Sequence, residues 1–385
     1  MHSSDKLHIF CRVIDNFGDA GVCWRLARQL AHEHHVEVTL WIDELGSLKR
    51  MCAELDASAN MQSARGVTVR RWPSDDTAFT PADTADAVIE AFACELPTAY
   101  MQAMAKREKT PAWLNLEYLS AEEWVEGCHA LPSPHPSLPL SKYFFFPGFT
   151  ERTGGLLRER NLFTQRDSLQ NDLVARAAFF SQLGVQLPLS ATAVSLFCYP
   201  QAPLNTLFEA MQDDGHPVVC VAPESVATDA IGQFLQQAPI AGASATRGAL
   251  TVQVLPFLDQ DDYDRLLWAC DLNFIRGEDS LVRAQWAARP FIWHIYAQDE
   301  NAHVIKLDAF LGKYTERMPP ADALTATRFH LAWNGIRDTG SIASQWRDLR
   351  AALPDITQHG RQWAQQLSHQ DDLATALMGF LRKIG

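Results

Sequence analysis

The sequence holds eight cysteines in 385 residues, yet no two of them stand at the CxxC spacing. A zinc ribbon or a thioredoxin-type redox motif is therefore not expected. Most of the cysteines fall inside apolar runs such as LHIFC and VVCVAP, which suits buried free thiols. Basic residues are scarce: 33 Lys and Arg stand against 46 Asp and Glu, a formal charge of −13. A nucleic-acid surface needs clustered Lys and Arg, so no nucleic-acid partner is expected. No uninterrupted apolar run reaches the roughly 18 residues of a membrane span. MHSSDKLHIFC lacks the basic segment and long apolar core of a secretory signal. A cytoplasmic protein with no membrane partner is expected. Internal repeats and low-complexity tracts are also missing, as is the GxGxxG fingerprint of a dinucleotide site.

What is present is the balance of a globular protein, 47% hydrophobic and 21% charged. A chain of this length is expected to form two domains. Short apolar runs at 7–14, 36–43, 67–72, 86–92, 111–119 and 142–149 alternate with segments of helical spacing, the first being VCWRLARQLAHEH. Strands separated by helices imply parallel pairing and a Rossmann-like sheet. The pattern breaks at PGFTERTGG and resumes with runs at 191–199, 216–223, 249–257, 271–276 and 289–295; beyond about residue 300 nearly everything reads as helix. The expected boundaries are 1–155 for a first Rossmann-like domain, 156–185 for a linking helix, and 186–385 for a second such domain with terminal helices.

Two segments carry chemistry. The first, DNFGDAG, follows the first strand: Asp15 and Asp19 bracket Asn16, Phe17 and Gly18, and a helix is expected to begin near Gly21. Glycines let a ligand approach the backbone, and a helix N-terminus offers unsatisfied N–H groups. Two carboxylates there suit a guanidinium, which presents a planar donor fork. No side chain deprotonates arginine in its ground state, so a carboxylate would orient it and accept its proton as a bond forms to nitrogen. In the plainer alternative Asp15 caps the helix and Asp19 is a solvated loop acid. The second segment is RGEDS, between the strand DLNFI and the helix SLVRAQWAA, which is expected to start at Asp279 or Ser280. Arg276 beside a helix N-terminus makes a diphosphate clamp; the alternative is an ion pair of Arg276 with Glu278 and a capping Asp279. Upstream, Phe197 and Tyr199 of LFCYP end a strand and could flank a nucleobase. DQDD (259–262) and HEHH (32–35) look like metal clusters, but acids in a first helical turn and histidines at a helix end complement the dipole.

At these motifs the sequence resembles the EarP family, protein-arginine rhamnosyltransferases that modify translation elongation factor P. The resemblance is carried by FCRVIDNFGDAGVCWRLARQL, LNLEYLSAEEWVEGCHALPSPHP and the run from LPFLDQDDYD to WHIY, and it spans nearly the whole chain. It implies an α/β fold of glycosyltransferase B type, two Rossmann-like domains facing a central cleft. It also implies a TDP-β-L-rhamnose donor and inversion at the sugar, with no metal or other cofactor. By the same resemblance Asp19 is the general base, Asp15 helps hold the acceptor arginine, and Glu278 is a third essential acid. Phe197, Tyr199, Gln260, Arg276, Asp279 and Ser280 would bind the nucleotide sugar, joined by Pro256, Phe257 and Gly277. Asn16, Phe17 and Gly18 of the first loop would close over the sugar. The acceptor would be elongation factor P, docking along the N-terminal domain of this chain. Two rivals stand beside this: a nucleotide-sugar transferase acting on a small molecule or lipid, and a non-catalytic nucleotide-sugar binding protein.

Overall fold

A computed structural model of the chain describes residues 5–14, 17–74, 76–298, 301–336 and 340–385. Two units make up the molecule, Met1–Arg160 with Leu367–Gly385, and Asn161–Gln366. The first contains β1 (Lys6–Cys11), β2 (Glu37–Ile42), β3 (Met61–Ala64), β4 (Val67–Arg71), β5 (Ala87–Ala91), β6 (Ala112–Leu116), β7 (Pro132–Pro134) and β8 (Ser141–Phe145). They form one sheet in the order β3-β4-β2-β1-β5-β6-β8-β7. All neighbours pair parallel except the two edge strands β3 and β7. The inner strands β5 and β6 are buried throughout, and β1 and β2 at every residue but the first. Helices cover both faces of such a sheet, which is why KLHIFC and EVTLWI run apolar without alternation.

The order reverses at β1: β2 lies on one side and β5 on the other. In open α/β sheets ligands bind outside the carboxyl ends of the strands at such a reversal.

The expected boundaries put the last helix with the second half of the chain, whereas Leu373–Ile384 packs in the first unit. The reason lies in its apolar face and its start. Phe380 meets Tyr143 and Phe145 of β8 at ring distances of 5.4 and 5.7 Å. Leu373 N–H donates to the Leu156 carbonyl, and the Arg158 guanidinium to that of Ser368. Gly155, at φ +70°, lies so close to the Asp371 carbonyl that a Cβ would meet it at 2.3 Å.

The second unit contains β9 (Thr192–Leu196), β10 (Val218–Pro223), β11 (Ser244–Arg247), β12 (Leu250–Leu255), β13 (Leu272–Arg276) and β14 (Phe291–His294), ordered β11-β12-β10-β9-β13-β14. Among the described residues only the β11–β12 pair is antiparallel. The strand order reverses again, here between β9 and β13. Helices Ala302–Thr315, Pro320–Trp333 and Ile342–Leu367 follow β14. All eight cysteines are unpaired, and seven are buried. Among the described residues no helix is long and apolar enough to cross a membrane.

Candidate active site

In the first unit the helix after β1 begins at Gly18, earlier than the expected Gly21, with Phe17 at its N-cap. Asp19 therefore sits in the first helical turn. It is 2% exposed and accepts the Ile14 N–H at 2.8 Å. A solvated loop acid is excluded for this residue. The backbone bond fixes one carboxylate oxygen, and a buried carboxylate of this kind must satisfy its remaining lone pairs nearby. Phe17 is held by the Arg50 guanidinium, 5.4 Å from its ring centroid. Asp15 and Asn16 lie outside the described residues. At the far end of this helix His32 lies in the last turn and His34 is the C-cap, the dipole-complementing position expected for HEHH.

In the second unit β13 passes directly into the helix Gly277–Ala287. Gly277, at φ +67°, makes that turn possible without a loop, so the helix starts ahead of the expected Asp279 or Ser280. Glu278 and Asp279 fall in the first turn, with Ser280 buried behind them. The Trp293 indole N–H donates to the Gly277 carbonyl at 2.9 Å and pins the turn to β14. Arg276, the last residue of β13, stands at the helix N-cap. Its guanidinium carbon lies 4.2 Å from the Phe197 ring centroid and 5.0 Å from that of Tyr199, and one Nη donates to the Cys198 carbonyl at 3.1 Å. The aromatic pair thus holds the arginine. A planar cation positioned in this way loses little side-chain entropy when it meets an anion.

Tyr199 is itself fixed. Its backbone N–H donates to His294 Nδ1 at 3.2 Å, and its ring meets those of His294 and Tyr296 at 5.2 and 5.6 Å. Burial, helped by the positive charge of Arg276, pushes the His294 pKa down to about 4, so the ring stays neutral and Nδ1 remains an acceptor. His294, Trp293 and Tyr296 were not among the expected site residues. Their only signal is a position at the carboxyl end of the strand-like run RPFIWHI, beside the strand that carries Arg276.

The other candidates separate. Phe197 reaches Tyr263 at 5.6 Å, which ties the LFCYP end to the helix Gln260–Ala269. Gln260, at the start of that helix, is buried. Pro256 and Phe257 leave the sheet after β12, two strands from β9, about 10 Å away by strand spacing. Asp259 caps the helix by accepting the Asp262 N–H at 2.8 Å, and Asp262 pairs with Arg265 at 2.9 Å, so these DQDD acids serve the helix terminus. The buried Arg283–Asp264 pair, at 3.0 and 2.6 Å, locks the helix Gly277–Ala287 to Gln260–Ala269. Glu278 lies 3.9 Å from Lys306. Among the described residues no three His, Cys, Asp or Glu side chains converge as a metal site would require.

The two sites complement different charges. Arg276 and the first amides of its helix offer a diphosphate a cation and N–H donors. Asp19 offers a cation a carboxylate fixed by the backbone.

A family model described as Elongation-Factor P (EF-P) rhamnosyltransferase EarP matches residues 7–382. The chain is similar to the protein-arginine rhamnosyltransferase of Pseudomonas putida, 51% identical over 97% of this chain and 98% of that protein. It is also similar to that of Pseudomonas aeruginosa, 48% identical over 97% of both. A solved structure, described as the structural basis for EarP-mediated arginine glycosylation of translation elongation factor EF-P, is 36% identical to it. That structure superposes with a TM-score of 0.70 over 99% of this chain and 100% of the other. A glycotransferase of kitacinnamycin, 10% identical with a TM-score of 0.51 over 99% and 100%, shares the fold alone.

Proposed function

The chain belongs to the EarP family of elongation-factor-P rhamnosyltransferases, and from that premise we propose that it moves L-rhamnose from TDP-β-L-rhamnose to an arginine side chain of translation elongation factor P, with inversion at the sugar. Its two sheets, each reversing strand order at its first strand, are those of the glycosyltransferase B type. One observation carries the assignment of roles. Phe17, Gly18 and Asp19 of the first motif, and the residues of RGEDS, each stand at the order reversal of their own sheet, where α/β proteins bind ligands.

On this basis the second unit binds the donor. Glycosyl transfer builds positive charge on the sugar and negative charge on the departing diphosphate. Arg276 and the amides at the start of the helix Gly277–Ala287 stabilise the diphosphate as that charge develops. Phe197 and Tyr199 offer ring surface to the base; Gln260, Asp279 and Ser280 complete the donor set with Pro256, Phe257 and Gly277. Glu278 serves the sugar. With a leaving group this good the acids are free to serve the nucleophile. The first unit receives the acceptor: Asp19, with Asp15, orients the guanidinium and takes its proton as the carbon–nitrogen bond forms. Phe17 and Gly18, with Asn16, border the sugar. Eight unpaired cysteines fit the cytoplasm, where thiols stay reduced.

The test is mass spectrometry of purified elongation factor P after incubation with this protein and TDP-β-L-rhamnose. A deoxyhexose on one arginine is the expected product. No mass gain, with turnover on a small-molecule or lipid acceptor instead, would favour the rival transferase. Binding of the donor with no product on any acceptor would favour a silent binding protein.

A further inference from the structure

In the first unit β1, β5 and β6 lie side by side, with Phe10 opposite Glu90 and Glu90 opposite Asn115. The chain leaves these three strands at one level. Residues 12–14 depart from β1 there, ahead of the helix Gly18–Glu33, and segments with no role so far depart from β5 and β6. The turn after β5 holds Phe92, Ala93 and Glu95 at φ of 57°, 52° and 56°. This left-handed region costs every residue but glycine, and three such residues within four persist only where the surroundings enforce them. Four bonds do so. The Phe92 N–H donates to the Leu116 carbonyl at 2.7 Å, and the Ala93 N–H to Asn115 Oδ1 at 3.0 Å. The Cys94 thiol donates to the Phe10 carbonyl at 3.2 Å, and the Glu95 N–H to the Glu90 carboxylate at 3.0 Å. Glu90, 1% exposed, is balanced by Lys142 at 3.2 Å. The strained turn is thereby fastened to all three strands.

The same network reaches the next segment. Asn115 also donates to the Glu117 carboxylate, and the Phe92 ring stacks on Tyr118 at 4.5 Å and 14°. Glu117 and Tyr118 are half-buried at the carboxyl edge of the sheet, two strands from β1 or about 10 Å by strand spacing.

We propose that Glu117 and Tyr118, set by the strained turn, form a seat for the acceptor's guanidinium and select arginine over lysine. The inference rests on the rhamnosyltransferase reading above and names the part of that site which recognises the acceptor. A guanidinium is planar, offers a fork of N–H donors to a carboxylate and stacks on an aromatic ring; an ammonium does neither in a fixed plane. Glu117 takes the fork and Tyr118 supplies the wall, its plane fixed by Phe92 behind it. Two carboxylates, Asp19 and Glu117, would then hold one cation while only one of them receives its proton.

Steady-state kinetics with purified elongation factor P and TDP-β-L-rhamnose test this, using Glu117→Gln, Tyr118→Leu and Tyr118→Phe. The loss of a charge-assisted bond should raise the acceptor KM at least about tenfold in Glu117→Gln. Tyr118→Leu should raise it in the same direction, and Tyr118→Phe should keep it near wild type. The donor KM, and TDP affinity measured by calorimetry without acceptor, should stay within about twofold in all three, which also shows that the variants fold. An unchanged acceptor KM in both Glu117→Gln and Tyr118→Leu overturns the seat. A wild-type protein that leaves elongation factor P unmodified overturns the rhamnosyltransferase reading itself, and the seat with it. If Glu117→Gln and Tyr118→Leu fail to bind TDP, Glu117→Asp replaces them: normal acceptor KM with a shortened carboxylate would count against the fork.

Discussion

The two strand-order reversals use one architecture for opposite charges. At the first, between β1 and β5, stand a buried aspartate on a helix N-terminus and a turn with three left-handed residues, with a half-buried glutamate one strand further on, after β6. At the second, between β9 and β13, stand a guanidinium, two aromatic rings and a helix N-terminus. The fold decides where a ligand goes, because connections that leave two adjacent parallel strands in opposite directions open a crevice at the strands' carboxyl ends. The side chains on the departing loops decide what that ligand is. They also differ in how they are held. The cationic site is fixed by side-chain contacts, with Arg276 on Phe197 and Tyr199, Tyr199 on His294, and Gly277 under Trp293. The acidic site is fixed largely through backbone groups: Ile14 N–H on Asp19, and the N–H groups of Phe92, Ala93 and Glu95 on their neighbours.

This contrast can be broken one side at a time. The largest effect is expected from Asp19→Asn, which keeps an oxygen for the Ile14 N–H and removes only the proton acceptor. Turnover should fall about 10²- to 10⁴-fold in a mass-spectrometric time course. Calorimetric affinity for TDP should remain that of the wild type. Turnover near the wild-type rate would place the base elsewhere. Next in size is Asp264→Asn in the second unit, which removes the negative charge facing the Arg283 guanidinium, itself 2% exposed. Breaking a buried pair on one side costs about 3–5 kcal/mol, readable as a lowered urea midpoint. A midpoint equal to wild type would show that water already reaches the pair.

Arg276→Ala should weaken TDP binding about 10- to 100-fold, the worth of one or two charge-assisted hydrogen bonds. Arg276→Lys should recover only part of it, because an ammonium cannot lie flat on the Phe197 and Tyr199 rings. Equal affinity in Arg276→Ala and wild type would refute the clamp. The smallest effect concerns pH. His294, His8 and His330 are each held down at about 4 from an ordinary 6.5, chiefly by burial. The unfolded chain binds protons at these sites as pH falls below 6.5 and the native one does not. Stability should therefore be full above about pH 6.5, decline as pH falls, and level off below about 4. His294→Asn, which still accepts the Tyr199 N–H, should flatten that decline in pH-dependent thermal melts. An unchanged slope would mean that His294 protonates freely in the folded state.

Much of this was legible in the residues because burial leaves a mark. The inner strands are covered on both faces, so KLHIFC, VVCVAP and LNFIR stand out as apolar runs. The edge strands MQSA, PSP and SATR are largely half-buried or exposed and carry no such signature; none of them was expected. Both motif helices start earlier than their capping residues suggested, since neither Phe17 nor Arg276 caps through its side chain. An amphipathic pattern marks Leu373–Ile384 as helix, yet its apolar face would suit either sheet. The rings of Tyr143 and Phe145, with the bond from Leu373 N–H to Leu156, choose.

By itself the sequence determined the α/β class, the two repeating halves, the acidic and cationic motifs and, through its likeness to known relatives, the family. These are properties of local pattern: period, composition and short spacing survive without coordinates. Tertiary structure decided the rest. It placed the final helix with the first unit, drew His294 and Trp293 behind Arg276, and joined Glu90, Asn115 and the Phe92–Glu95 turn to Glu117 and Tyr118. Those partners stand far apart along the chain and meet only through strand register and packing, which no local pattern encodes.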